Sequence, residues 1–258
     1  MKRQAWFFHT PMLEIRNLVV RRDHKSPRVL NQISLSVNRG EKIAILGPSG
    51  AGKTTLFRTI SGFLPILAGS ICVDGVEVSG LRGRRLRNLR SQIGMISQRH
   101  DLVDRLGVHQ NVMAGALGRW TTLHALRFLL RPKAAELEEA KRALSRVALE
   151  RKLRSRTSDL SGGEHQRVAI ARALVQQPLV LLADEPVASL DPILSGQILA
   201  LLCSLANENG FTLLCSLHQP DLAYEYFDRV IRIEAGKIAS DEPRQAAASP
   251  AVEVAVGA

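Results

Sequence analysis

The sequence has no apolar run that is long enough to cross a membrane. Runs such as Leu179–Ala183 are far shorter than the roughly 18–20 residues that a membrane-spanning helix needs. Near the amino terminus, a short Ala-Trp-Phe-Phe patch is soon followed by His9 and Pro11, which interrupt it before it could form the core of a signal peptide. We therefore predict a chain that stays in the cytoplasm.

Cysteine is also scarce. The three cysteines, Cys72, Cys203 and Cys215, are an odd number and lack Cys-x-x-Cys spacing. This pattern argues against a disulfide-stapled chain, and we expect the thiols to be reduced packing residues.

The composition is otherwise that of an ordinary globular protein. The 258 residues are 45% hydrophobic and 23% charged, which fits one large domain or two small ones. Lys and Arg number 35 against 24 Asp and Glu, so the net charge is +11. This excess predicts anionic partners, but nucleic acid, anionic lipid and phosphate ligands all remain open. It is concentrated in two clusters, Arg82, Arg84, Arg85, Arg87 and Arg90, and Arg151, Lys152, Arg154 and Arg156.

Hydrophobic periodicity predicts an α/β fold. Between Arg99 and about Arg156 strand patterns disappear and apolar residues recur at helical spacing, so this stretch is predicted to be a helical insertion. Elsewhere strands alternate with helices such as Lys53–Ile60, which favours a mostly parallel sheet. The predicted strands are Ile33–Val37, Lys42–Leu46, a hairpin around Asp74-Gly75 within Ser70–Val78, Gln92–Ser97, Leu179–Ala183, Phe211–Leu217 and Val230–Ile233.

A glycine-rich phosphate loop lies between a predicted strand and a predicted helix, in the order that the motif requires. Its glycines allow backbone amides to face phosphates, while Lys53 reaches the β and γ phosphates and Thr54 offers its hydroxyl to magnesium. The predicted phosphate-binding residues are Gly47, Pro48, Ser49, Gly50, Ala51, Gly52, Lys53, Thr54 and Thr55.

Two carboxylates and a histidine follow other predicted strands. Asp184 and Glu185 come at the end of an apolar strand, where ligands bind in open α/β sheets. We expect Asp184 to be a magnesium partner and Glu185 to be the base that polarises the attacking water. His218 follows the next strand and is predicted to lie at the same edge.

A second glycine pair begins another predicted helix. Ser161 and Glu164 have the spacing of a capping box, and Gly162 and Gly163 would expose amides for a second anion. A well-capped helix would explain the same residues. Because the phosphate loop already supplies one anion site, the pattern suggests two half-sites that meet in a dimer.

Taken in order, these motifs resemble the ATP-binding cassette (ABC) family over about Leu13–Ala239. Two further sequence features match the motifs of this family: Gln98, which follows a predicted strand, and Ser189-Leu190-Asp191. The resemblance implies a P-loop NTPase core with a mostly parallel sheet, an antiparallel β subdomain and an inserted helical subdomain. It implies a nucleotide-binding domain over residues 13–240, with the helical insertion at about 99–160 and an amino-terminal extension over 1–12. The remaining residues, 241–258, are Ala-rich and aperiodic and are predicted to be a mobile tail.

The same resemblance implies an ATPase that uses ATP and Mg²⁺. In that family two cassettes pack head to tail, so Ser161, Gly162 and Gly163 of one subunit would touch the γ phosphate at Lys53 of the other. Asp191 would lie at the dimer interface. Gln98, Glu185 and His218 are the implied catalytic residues, and Thr54, Gln98 and Asp184 the implied magnesium contacts. The implied partners are two transmembrane permease subunits and an external solute-binding protein, with the chain peripheral on the cytoplasmic face of the inner membrane.

Finer details are similar to the phosphonate-import branch of the family. They are Ala188 before Ser189, Leu217-His218-Gln219, and the segment Asn111–Gly118. An importer of phosphonates or related phosphorus compounds is therefore expected. A cassette for another solute, an exporter and a nucleic-acid-associated cassette are the alternatives. The last usually has long coiled coils or two cassettes per chain, which this sequence lacks, so no nucleic-acid partner is expected.

Two features depart from the family pattern. The segment Arg21–His24 lacks the aromatic ring that usually stacks on adenine, so we expect Arg22 or His24 to supply the flat surface, with weak preference for ATP over GTP. Family members often begin Met-Leu-x-Ile, which here is Met12–Ile15, so Met1–Pro11 would be an extension or the result of a misplaced start codon. The arginines from Arg82 to Arg90 are compatible with a surface that faces anionic lipid or an acidic partner loop.

Overall fold

The structure is a computed structural model that describes residues 10–21, 27–98 and 101–244. It contains two sheets. The larger sheet has the strand order β10-β9-β3-β8-β7-β6, and the smaller has the order β2-β1-β4-β5. The strands are β1 Leu13–Arg21, β2 Arg28–Val37, β3 Lys42–Leu46, β4 Ala68–Val73, β5 Val76–Glu77, β6 Ile93–Ile96, β7 Val180–Asp184, β8 Thr212–Leu217, β9 Arg229–Glu234 and β10 Lys237–Pro243.

Helices connect the strands of the larger sheet and fill the interval between β6 and β7. Three 3₁₀ turns, Ala114–Gly118, Glu150–Lys152 and Thr157–Asp159, lie in that interval. The α-helices are α1 Lys53–Ile60, α2 Gly83–Gln92, α3 Val108–Met113, α4 Thr122–Leu130, α5 Ala134–Ser145, α6 Gly162–Gln176, α7 Pro192–Asn209 and α8 Pro220–Tyr226. None of the helices in the described ranges has the length and apolar character needed to span a bilayer.

The predicted fold class is confirmed. In the larger sheet β3, β6, β7, β8 and β9 pair in parallel, and only β10 is antiparallel to its neighbour. All pairs in the smaller sheet are antiparallel. The predicted strand Lys42–Leu46 and helix Lys53–Ile60 have the bounds of β3 and α1. At the predicted hairpin, Asp74 and Gly75 both have positive φ, as a two-residue hairpin turn of the favoured type requires.

The two faces of the larger sheet pack against different layers. Successive side chains of a strand point to opposite faces. Ile43 and Ile45 of β3 accordingly pack with α1 and the smaller sheet, while Ala44 and Leu46 pack with α6 and α7. The parallel strands are therefore buried on both faces, which holds their carboxyl ends at one well-defined edge.

Several boundaries differ from those expected. Gln92, predicted to start a strand, ends α2 instead, and β6 covers only Ile93–Ile96. Asp241–Pro243, assigned to the tail, pair with β9 as part of β10. Most of the remaining tail and of the amino-terminal extension lies outside the described residues.

All three cysteines are free thiols, as expected for packing residues. Cys203 and Cys215 are buried as expected, whereas Cys72 is only half-buried. Burial raises the pKa of Cys203 to about 12 and that of Cys215 well above its ordinary value. Both thiols are therefore protonated near neutral pH, and a protonated thiol is a poor nucleophile.

Candidate functional site

The glycine loop that joins β3 to α1 is shaped by close backbone approaches. A Cβ on Gly47 would lie 2.3 Å from the carbonyl oxygen of Ile233, so only glycine fits there. Gly52, the residue before α1, has a φ of +112° and would clash with the side chain of Leu30 if it carried a Cβ. These glycines let the chain turn tightly into the amino end of α1, where unpaired helix amides and the helix dipole favour an anion.

Lys53 begins α1 and is almost fully buried, at 4% exposure. Its Nζ donates hydrogen bonds to the carbonyl oxygens of Gly47 (2.7 Å) and Pro48 (3.4 Å). It also lies 3.6 Å from Oε1 of Glu185. The ammonium group is thus held within the loop and beside a carboxylate, as a buried charge requires.

Four neighbouring strands bring the remaining candidates to one edge. β3, β8, β7 and β6 are adjacent and parallel, so the residues that follow them emerge at the same side of the sheet. Lys53 follows β3, His218 follows β8, Glu185 follows β7 and Gln98 comes shortly after β6. The sheet order therefore places these residues side by side although they are up to 165 positions apart, from Lys53 to His218.

Glu185 is the centre of this arrangement. His218 Nε2 lies 2.6 Å from Glu185 Oε1, the same oxygen that faces Lys53. The two residues border a pocket that Val187, Ala188 and Gln219 also line. A carboxylate between an ammonium group and an imidazole at the rim of a pocket can accept a proton from a bound water.

Asp184 is the last residue of β7 and is only 5% exposed. Its Oδ1 accepts a hydrogen bond from Ser216 Oγ at 2.7 Å. Ser216 Oγ also accepts a hydrogen bond from the backbone N–H of Glu185 at 2.9 Å. The sequence analysis does not single out Ser216, whose signal is a hydroxyl near the end of a mostly apolar strand, two positions before His218.

The second glycine pair lies at the start of α6. The predicted capping box is confirmed: Ser161 Oγ accepts from the backbone N–H of Glu164 (3.3 Å), and Glu164 Oε2 accepts from the backbone N–H of Ser161 (2.9 Å). A hydrogen bond from Lys152 and one from the Ser161 backbone lower the pKa of Glu164. Ser161 and Gly162 are exposed, whereas Gly163 is half-buried and packs near Leu194 of α7.

The structure does not bring this helix start to the strand-end residues. In the described part of the chain, the hydrogen bonds and ion pairs of Lys53, Glu185 and His218 do not involve Ser161 or Gly163. The exposed Asp191 has a comparable local role, because its Oδ1 caps α7 by accepting from the N–H of Leu194. Arg22 and His24, the expected adenine platform, lie outside the described residues.

A magnesium ion would find suitable donors here. Thr54 and Gln98 are exposed and supply hydroxyl and amide oxygens, and Asp184 supplies a carboxylate. Mg²⁺ prefers oxygen ligands and usually combines one or two carboxylates with phosphate and water. The described residues contain no group of three or more His, Cys, Asp or Glu that could hold a metal without such help. The donor set therefore fits a metal that arrives with a phosphate ligand.

Known proteins match most of the chain. Residues 30–188 match the family described as ABC transporter. The chain is 45% identical over 213 residues to the phosphonates import ATP-binding protein PhnC of Frankia casuarinae, with 83% of each chain covered. It is 43% identical over 232 residues to the protein of the same name from Shouchella clausii, covering 90% of this chain and 86% of the relative.

Solved structures show the same architecture. The chain superposes on cbiO1 from Clostridium perfringens, part of the ABC transporter complex cbiONQ, with a TM-score of 0.78, 30% identity, and 91% and 89% of the two chains covered. It also superposes on a bacterial ABC transporter cassette solved as a dimer, with a TM-score of 0.79, 27% identity, and 91% and 99% covered.

Proposed function

Because the chain belongs to the ABC transporter family of ATP-binding proteins, we propose that it is the ATP-hydrolysing subunit of a membrane importer for phosphonates or related phosphorus compounds. The observation that carries the ATPase role is the cluster of Lys53, Glu185 and His218 beside the glycine loop. The cargo class rests on the relatives, which are named phosphonates import ATP-binding proteins at 41–45% identity.

The glycine loop holds the phosphates of ATP. Backbone amides of the loop and the start of α1 face the phosphate oxygens, and the buried ammonium of Lys53 stabilises the negative charge that develops on the transferred group. The residues assigned to this role are Gly47, Pro48, Ser49, Gly50, Ala51, Gly52, Lys53, Thr54 and Thr55.

Glu185 orients the attacking water and accepts its proton. Its carboxylate is fixed by His218 and Lys53, and the pocket beside it gives water access to the γ phosphate. His218 holds the carboxylate in place and contacts the γ phosphate itself. Thr54, Gln98 and Asp184 would hold a Mg²⁺ ion, which would supply positive charge to offset that of the phosphates.

The active assembly is a dimer in which each ATP is bound by two chains. Ser161, Gly162 and Gly163 supply the second surface, and exposed amides at the start of a capped helix are suited to a phosphate. A cassette of the same fold has been solved as a dimer, which supports this arrangement. ATP drives closure because it binds the closed dimer more tightly than the open one. Asp191 lies at the interface between the two chains.

The importer requires further subunits. Two permease subunits would cross the membrane, and an external solute-binding protein would deliver the cargo. Gln98 is exposed and follows β6. It would couple changes at the magnesium site to the permease. The chain would then lie on the cytoplasmic face of the inner membrane.

Growth on a phosphonate tests this proposal. A strain that lacks the protein and any redundant importer is grown on an alkylphosphonate or on inorganic phosphate as the sole phosphorus source. We expect growth to fail on the phosphonate alone and to return with the wild-type gene but not with Glu185→Gln. Equal growth on both sources would refute the phosphonate cargo, and full rescue by Glu185→Gln would refute the role of Glu185 as the base.

A further inference from the structure

We propose that Ser216 is a positioning residue for ATP hydrolysis, which fixes Glu185 and Asp184 in their working positions through one hydroxyl group. The inference rests on the proposed ATPase function and deepens its account of the site. Ser216 touches neither water nor phosphate in this role. It acts through the two acidic residues that end the neighbouring strand.

The position of Ser216 follows from the register of two parallel strands. Ser216 of β8 is the register partner of Asp184 of β7, and it is fully buried. A serine hydroxyl has one hydrogen to donate and can accept as well. Here it donates to Asp184 Oδ1 at 2.7 Å and accepts from the backbone N–H of Glu185 at 2.9 Å. One side chain thus bonds both residues of the acidic pair.

The hydrogen bond to Glu185 stabilises an unusual backbone conformation. Glu185 has a φ of +50°, in the left-handed region that residues other than glycine, asparagine and aspartate seldom adopt. This conformation ends β7 and brings the Glu185 carboxylate to His218 at 2.6 Å and Lys53 at 3.6 Å. If Ser216 lacked its hydroxyl, the half-buried Glu185 N–H would lose this acceptor, and a more relaxed backbone would carry the carboxylate away.

The hydrogen bond to Asp184 has a separate consequence. A carboxylate has two oxygens, and Ser216 occupies Oδ1 of Asp184. The other oxygen is then oriented as a ligand for the magnesium that arrives with ATP. Because the same hydroxyl sets both residues, the base and the metal ligand keep a fixed distance from each other.

The other hydroxyl on β8 provides a matched control. Thr212, at the opposite end of the strand, is also fully buried. Its Oγ1 accepts from the N–H of Gly40 at 2.9 Å and donates to the carbonyl oxygen of Asn38 at 3.3 Å. Thr212→Val therefore removes a buried hydroxyl with one donor and one acceptor partner from the same strand, but none of its partners is acidic.

The experiment compares Ser216→Ala, Ser216→Thr and Thr212→Val in the full chain. We expect Ser216→Ala to lower kcat by about 10- to 100-fold, the range that loss of one positioning hydrogen bond at a catalytic site produces. Nucleotide affinity, measured with a fluorescent ADP analogue, should change little. Ser216→Thr, which keeps the hydroxyl, should restore most of kcat, and Thr212→Val should leave kcat near that of the wild type.

A second readout does not depend on activity. Hydrogen exchange in the nucleotide-free protein should show faster exchange of the Glu185 amide in Ser216→Ala than in wild type or Thr212→Val. Unchanged exchange at Glu185, or equal losses of kcat in Ser216→Ala and Thr212→Val, would overturn the inference. Wild-type protein that hydrolyses no ATP under any condition would refute the proposed function instead, while the exchange measurement would still judge the role of Ser216.

Discussion

The two ends of the proposed nucleotide site are built in different ways. At the strand end, Lys53 and Asp184 are at most 5% exposed, and Glu185 is held by Lys53, His218 and Ser216. At the helix end, the exposed Ser161 is held by the capping box and by the nearby surface pair of Lys152 and Glu164. The strand end is preorganised by buried contacts within its own chain. The helix end exposes its polar groups to solvent, where a second chain could bind.

This difference suits the two ends to the different roles proposed for them. Buried charges and fixed donors stabilise a transition state well because they need not reorganise. Exposed amides at the start of a capped helix can hydrogen-bond to water, so they remain available to a phosphate held by a second chain. In the proposed dimer, a site divided in this way is complete only when two cassettes meet, so hydrolysis is expected to depend on association.

The largest expected effect comes from the strand end. Lys53→Ala removes the buried ammonium beside the glycine loop, and we expect ATP hydrolysis to fall by at least about 10²–10³-fold, because removing one preorganised electrostatic donor typically has that effect. Steady-state phosphate release measures it. Lys42→Ala is the matched control, because Lys42 begins β3, the strand that leads into the glycine loop, but pairs with Asp228 and Asn207. Near-normal hydrolysis by Lys53→Ala would place the phosphate site elsewhere.

The fold and the strand-end site were largely predictable because their signals are local. The strand Lys42–Leu46, the glycine loop and the helix Lys53–Ile60 follow one another, so apolar pattern and turn residues were sufficient. Glu185 and His218 could be found because each directly follows an apolar strand.

Other features depend on pairing between distant segments. Ser216 acts through its register with Asp184, 32 residues away, and no local pattern gives that register. The bounds of β6 were also missed, because α2 continues into Gln92, whose polar side chain is compatible with either element. The end of β10, Asp241–Pro243, is predicted as tail because its residues are polar and only its pairing with β9 makes it a strand.

A second, intermediate effect should come from the helix end. Ser161→Ala removes the cap of α6, which costs about 1 kcal/mol of the free energy of unfolding. It should also lower hydrolysis about tenfold by removing a contact to the phosphate bound by the partner chain. Thermal unfolding and phosphate release measure the two effects.

Mixing the Lys53→Ala and Ser161→Ala variants shows whether Ser161 contributes to the nucleotide site of its own chain or of the partner chain. If Ser161 completes the site of the other chain, a dimer of Lys53→Ala and Ser161→Ala subunits contains one intact site. A one-to-one mixture should then recover about a quarter of the wild-type rate, because half of randomly paired dimers have one working site of two. A mixture no more active than the average of the separate variants would mean that Ser161 acts within its own chain.

The smallest expected effect comes from the surface pair beside the capping box. Lys152 Nζ lies 2.9 Å from Glu164 Oε1, and both side chains are partly exposed, so Lys152→Ala should cost only about 0.5 kcal/mol of stability at pH 7. Since Lys152 lowers the pKa of Glu164, the stabilisation is complete above the ordinary carboxyl pKa and is lost as the pH falls through the lowered value. Urea unfolding at pH 7 and at pH 4 should therefore show a difference from wild type that shrinks at the lower pH.

Arg151→Ala is the control for that measurement, because it removes the same charge from an exposed position in the same 3₁₀ turn. It should have little effect at either pH. A loss of several kcal/mol in Lys152→Ala would contradict the contrast between the two ends, since a surface pair in water cannot contribute that much. The helix end would then be preorganised as firmly as the strand end. Association of two chains would then fix few additional groups at the helix end. The proposed dependence of hydrolysis on the dimer would need another cause.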